Sequence, residues 1–137
     1  MTTDRVLYTA RIHTTGGREG AARSSDGQLD VKLSTRGTKA AGTNPEQLFA
    51  AGWSACFEAA MGLAAKTRGI TLPASLAIDA EVDLLLGGDG YNLGARLNVS
   101  LPGLDRATAQ EIVDAAEATC PYSKAIRGNV DVAIALV

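Results

Sequence analysis

Apolar and polar residues alternate with a period of two along much of the chain. Val6, Tyr8, Ala10 and Ile12 share one side of the first such run. Leu29, Val31 and Leu33 alternate with Asp30, Lys32 and Ser34. A long run follows in Leu76, Ile78, Ala80, Val82, Leu84 and Leu86, then another in Leu93, Leu97, Val99 and Leu101, and the chain closes on Val130, Val132, Ile134 and Leu136. This period predicts strands with one face more buried than the other. Asp89-Gly90 lies between two of these runs and predicts a hairpin connection.

Two stretches change period. Asn44-Pro45-Glu46 predicts a helix start, with Asn44 as cap, Pro45 in the first turn and Glu46 at the positive end of the helix dipole. Leu48, Phe49, Trp53, Cys56, Phe57, Ala60, Met61 and Ala64 then recur at helical spacing as far as a stop at Gly69. Apolar residues on nearly every side of this segment predict a largely buried helix. A second helix is predicted from near Asp105, through Ile112, Val113 and Ala116, to Pro121. Arg36–Asn44 is rich in turn formers and predicts a loop. Strands, helix, strands, helix, strand is an α+β order: mainly antiparallel sheets around a buried central helix, in one domain over residues 1–137.

Composition narrows the class. Hydrophobic residues make up 46% of the 137 positions and charged residues 20%, with a formal net charge of −2. There is no basic excess for nucleic acid and no Lys/Arg cluster for a membrane surface. No apolar run approaches the ~18 residues of a span, and Met1-Thr2-Thr3-Asp4-Arg5 lacks an apolar signal core. A cytoplasmic protein is the expectation.

In a reducing compartment two cysteines are poor candidates for a structural staple. Cys56 and Cys120 are too far apart in sequence for a CxxC motif, and the single His13 cannot complete a usual zinc set with them. They are either two inert buried thiols or one redox couple. Cys56 lies mid-helix among apolar neighbours, where burial disfavours its thiolate, so reactivity needs a cation from elsewhere in the fold. Cys120 sits at a helix C-terminus, the negative dipole end, and suits a second thiol better than an attacking one.

Arg18, in the Gly-rich turn Thr15-Gly16-Gly17-Arg18-Glu19-Gly20, is the candidate cation. Its guanidinium is always charged and carries several donors. Glu46 could hold it through a bidentate pair. Glu46 and Cys56 are ten positions apart, ~15 Å along a straight helix, so Glu46 cannot reach its own Cys56 unless the chain bends, for example at Gly52. The other solution is a dimer with composite sites, and it is the one favoured here. Leu48, Phe49, Trp53 and Phe57 are candidates for an apolar pocket wall.

These segments resemble the organic hydroperoxide resistance (Ohr) proteins of the OsmC/Ohr family. TGGREG is similar to the family's TGGR turn, GTNPEQLFAAGWSACF to the helix that ends in its first cysteine, and CPYSKAIRGN to its second-cysteine motif. The resemblance implies an OsmC/Ohr-like fold and an intertwined homodimer. It implies Cys56 as peroxidatic cysteine, Cys120 as resolving cysteine, and Arg18 and Glu46 as the activating pair. It also implies reduction of organic hydroperoxides without metal, flavin or haem, and recycling by an external dithiol, dihydrolipoamide or a lipoylated protein. Trp53 stands where the family commonly has Tyr, Glu117 where it often has His, and Lys124 where Asn is usual. A thiol-based sensor or binding module without turnover, and a structural dimer with inert thiols, are the competing expectations.

Overall fold

A computed structural model describes residues 3–137. The chain groups into two compact units that divide between Pro45 and Glu46.

The first unit is an antiparallel meander of β1 (Ile12–Thr15), β2 (Ala21–Ser24) and β3 (Asp30–Lys32). A 3-10 turn over Gly17–Glu19 joins β1 to β2, with Arg18 at its centre. Gly16 has φ 74°, and a Cβ on Gly20 would fall 1.7 Å from the carbonyl oxygen of Thr15, so both positions require glycine. Thr35 Oγ1 braces the turn by donating to Glu19 Oε1 at 3.1 Å. The expected loop after Arg36 is present, and a bridge between Leu33 and Thr43 closes it. The first strand differs from expectation. It starts at Ile12, and no strand covers residues 6–11. β2 is only four residues long and is fully used by Ile12–Thr15, so the alternating residues upstream have no ladder to join. Val6, Leu7 and Tyr8 are 77%, 82% and 78% exposed.

The second unit holds α1 (Pro45–Thr67), β4 (Ala77–Gly87), β5 (Gly90–Ser100), α2 (Arg106–Thr119), α3 (Pro121–Ile126) and β6 (Asp131–Leu136). β4 and β5 form a long antiparallel hairpin, and β6 lies parallel to β5. A parallel neighbour needs a crossover connection, which α2 and α3 supply. The hairpin turn is Gly88-Asp89, one residue earlier than expected, because Gly87 pairs with Gly90. Polar residues fill the alternate positions of the hairpin. Arg96 is bound to both carboxylate oxygens of Asp83 at 2.7 and 2.8 Å and to Glu81 at 3.1 Å.

The ends of both long helices follow from sequence. After α1, Gly69 adopts φ 66°; its N–H reaches Lys66 O and the N–H of Ile70 reaches Ala65 O, the paired bonds of a Schellman stop. At the start of α2, Asp105 accepts from the Thr108 N–H at 3.1 Å. α3 was not foreseen. Pro121 ends α2 as expected, but a helix accepts proline in its first turn, and Pro121 also opens α3.

The core of this unit brings Trp53, Phe57 and Met61 from α1 against Leu97 and Val99 of β5 and Ile112 and Val113 of α2, all at most 1% exposed. Each fully buried Phe, Met or Leu is worth roughly 1.5–3 kcal/mol. α1 buries one face in this way; Ala51, Ala55, Ala59 and Leu63 on other sides are exposed. Contrary to the expectation that no apolar run is long enough, α1 has the length and composition of a membrane span, with a mean hydropathy of 1.3 in its 18-residue window. Its burial of Trp53, Phe57 and Met61 accounts for that character as a core helix.

Candidate active site

Cys56 is half-buried in the middle of α1, and Cys120 is wholly buried between α2 and α3. Both are free thiols. The Cys120 thiol donates to the Cys56 sulfur across 3.6 Å. The sulfurs need to close by roughly 1.5 Å to reach the ~2.05 Å of a disulfide. Cys120 is the joint of two helices: its N–H donates to Ala116 O at 2.8 Å, and its carbonyl accepts from Lys124 N at 2.9 Å. It therefore stands at the negative end of α2, as expected, and also at the positive end of α3.

Burial is the largest influence on the Cys56 thiol and pushes its pKa up; the hydrogen bond and charge of Cys120 push the same way. The backbone N–H of Tyr122 opposes them by donating to the Cys56 sulfur. That N–H is a group the sequence reading missed. It belongs to the first turn of α3, and only recognition of a helix start at Pro121 could have pointed to it.

An aromatic cluster lies beside the thiols. Phe49 sits 6.2 Å from the Trp53 ring and 6.4 Å from the Tyr122 ring, edge-on to the latter. Gly52 allows this approach, since a Cβ there would come within 3.1 Å of the Tyr122 hydroxyl. Trp53 Nε1 donates to Ser123 Oγ at 3.0 Å inside the core. Of the four candidate wall residues, Trp53 and Phe57 are fully buried core, while Leu48 and Phe49 are half-buried.

Residues 36–135 match the family model for OsmC-like proteins. The organic hydroperoxide resistance protein of Xanthomonas axonopodis pv. citri is 47% identical over 137 aligned positions, covering 97% of this chain and 96% of the relative. The chain belongs to the OsmC/Ohr family. Another relative, the organic hydroperoxide resistance protein OhrB of Bacillus subtilis, is 44% identical over 96% of this chain and 98% of its own. The crystal structure of OhrB superposes with a TM-score of 0.91, covering 96% of this chain and all of that one. An organic hydroperoxide resistance protein from Legionella pneumophila superposes at 0.90 with 40% identity, over 96% and 98% of the two chains.

Within this OsmC/Ohr chain the other candidate residues fall as follows. Arg18 is exposed at the centre of its 3-10 turn. Glu46 is half-buried in the first turn of α1. α1 is continuous from Pro45 to Thr67 with no break at Gly52, so Glu46 stays ~15 Å from Cys56 along the axis. Of the departures from the family pattern, Trp53 is absorbed into the core, and Lys124 is exposed on α3. Glu117 lines a cavity of about 270 Å³ together with Ser123 and Arg127, and its carbonyl accepts from Arg127 Nη2 at 2.7 Å.

Proposed function

We propose that this OsmC/Ohr chain is a cysteine-based peroxidase that reduces organic hydroperoxides, alkyl or fatty-acid, to alcohols. The observation that carries the reading is the 3.6 Å approach of Cys56 and Cys120, joined with the similarity to organic hydroperoxide resistance proteins more than 40% identical. In the first step the Cys56 thiolate attacks the outer peroxide oxygen. The O–O bond breaks, the alkoxide leaves as alcohol with the thiol's proton, and Cys56 becomes a sulfenic acid. The Cys120 thiol then displaces the hydroxyl from sulfur, forming the disulfide and water. An external dithiol gives up two electrons and two protons by exchange and returns both thiols. A lipoyl dithiol is the proposed donor, and no metal, flavin or haem takes part. Half-exposed Cys56 is the attacker; fully buried Cys120 resolves.

Burial raises the Cys56 pKa, so the attack needs a cation. Arg18 is assigned that role, with Glu46 orienting it. The unbroken α1 favours composite sites in a homodimer, because no bend carries Glu46 toward its own Cys56. Exposed Val6, Leu7 and Tyr8, and the exposed face of α1 at Ala55, Ala59 and Leu63, offer apolar area for a second copy. The setting is the cytoplasm, where a dithiol donor keeps the couple cycling.

The test is turnover of cumene hydroperoxide with dihydrolipoamide as the sole reductant. Many equivalents of peroxide should be consumed per chain, and Cys56→Ser should abolish consumption. One equivalent per chain and no more would make the thiol pair a sensor. Undiminished turnover by Cys56→Ser would remove the assignment altogether.

A further inference from the structure

The Trp53–Ser123 hydrogen bond repeats the geometry of the thiol pair one helical turn away. Trp53 lies three residues before Cys56 on α1, and Ser123 lies three residues after Cys120 on α3. Residues three apart on a helix are neighbours on one face. The contacts 56 with 120 and 53 with 123 are therefore successive rungs between α1 and the segment Cys120–Ser123, which run antiparallel. One rung is a sulfur pair that must close during the reaction. The other is a bond of 3.0 Å between side chains 0% and 6% exposed, shielded from competing water.

α3 has only six residues, and the Trp53–Ser123 bond ties its first turn to α1 alongside the Phe49–Tyr122 ring contact and the Tyr122 N–H on Cys56. Breaking the rung would strand a buried indole N–H, so the bond resists displacement. We infer that Trp53 and Ser123 are positioning residues for the disulfide step: their bond clamps the Cys120–Ser123 turn onto α1 and keeps the resolving thiol within reach of Cys56. This rests on the peroxidase reading and assigns two residues to its second step. Neither residue touches the reacting atoms. The role is one of orientation, and small misplacements in such a step are expensive. Trp53, which replaces the family's usual Tyr, is here the clamp's donor.

Trp53 is the only tryptophan and lies one turn from the reacting sulfur, so its fluorescence reports the site directly. Reduced protein would be mixed with one equivalent of cumene hydroperoxide, and disulfide and sulfinic acid quantified by mass spectrometry in parallel. Ser123→Ala is expected to slow disulfide formation by roughly 10- to 100-fold and to divert Cys56 to sulfinic acid at excess peroxide. Ser123→Thr, which retains a hydroxyl, should recover most of the rate. Trp53→Phe should reproduce the defect, and the double variant should be no slower than the slower single. Disulfide formation within twofold of the parent in folded Ser123→Ala, or additive defects in the double variant, would overturn the clamp. Failure of the peroxidase reading shows separately, as a parent protein whose Cys56 is not oxidised by peroxide at all.

Discussion

The Sγ of Cys120 lies 3.6 Å from the Sγ of Cys56, at the junction of two helices and against the middle of a third. That separation exceeds the ~2.05 Å of a disulfide by roughly 1.5 Å, so the two sulfurs must approach each other to bond. The two sulfurs are also unequal. Cys120 is sealed, whereas Cys56 keeps partial exposure and receives an N–H from Tyr122.

Replacing Cys120 by serine separates the two chemical steps. Cys120→Ser should consume one equivalent of peroxide at close to the parent rate, then stall with Cys56 as sulfenic acid, trappable by a dimedone probe. Further peroxide should drive it to sulfinic acid. Sustained turnover with dihydrolipoamide in this variant would take the resolving role away from Cys120.

The pH dependence of Cys56 tests Arg18. Burial and Cys120 raise the thiol's pKa, while the proposed Arg18 contribution lowers it. Arg18→Ala should thus move the pH midpoint of Cys56 alkylation upward and slow peroxide reduction at neutral pH by at least tenfold. The same shift links to stability. A thiol with a raised folded pKa binds its proton more tightly folded than unfolded, so its contribution is full below the unfolded value and is lost as pH rises through the folded one. Reduced Arg18→Ala protein should lose stability in urea titrations as pH rises through and above the ordinary thiol range, and adding Cys56→Ser should flatten that slope.

The turn that carries Arg18 can be broken without touching the thiols. Gly16 has φ 74°, and a Cβ there would lie 2.8 Å from Gly20 Cα, so Gly16→Ala must distort the turn. Peroxide-driven oxidation of Cys56 should fall by at least tenfold. Oxidation of the pair by diamide, which needs no guanidinium, should proceed at the parent rate. Equal losses in both assays would show that the substitution damages more than the turn.

Much of this was legible in the sequence because it depends on local rules. Asn44-Pro45 and Gly69 bracket α1, and Asp105 caps α2, since caps are short-range chemistry. Period-two runs marked β4 to β6 because one face of each meets the core. The same pattern over Val6–Ala10 gave no strand, since alternation states a preference and pairing needs a neighbour. α3 was hidden by the double meaning of Pro121, which ends one helix and starts another. The Tyr122 N–H and the Trp53–Ser123 bond were beyond reach for a related reason. The first depends on a backbone direction, and the second joins residues 70 positions apart.

Gly69→Ala isolates backbone strain in the helix stop. Gly69 has φ 66°, and a Cβ there meets nothing within 4 Å among the described residues, so crowding plays no part. The left-handed conformation costs an L-residue about 1–2 kcal/mol. The variant should unfold at a lower urea concentration by that amount, with unchanged denaturant slope and unchanged peroxidase activity. A larger loss accompanied by a changed slope would point to rearrangement of the whole α1 end.

The dimer proposal predicts that the exposed face of α1 matters to chemistry as well as assembly. Leu63 is 68% exposed, and Ala55 and Ala59 are exposed on the same helix, while the core residues of α1 lie on other positions. A charge at Ala55 or Leu63 costs little in an isolated chain, because exposed helix positions tolerate Glu and Arg. Between two copies it would leave an unpaired charge in an apolar contact. Ala55→Arg combined with Leu63→Glu should thus keep the far-ultraviolet spectrum of the parent, sediment as a monomer at micromolar concentration, and lose peroxide turnover by two orders of magnitude or more. Diamide should still form the Cys56–Cys120 disulfide, since both sulfurs belong to one chain. A monomer with full peroxide turnover would place Arg18 and Glu46 with the Cys56 of their own chain and end the composite-site proposal.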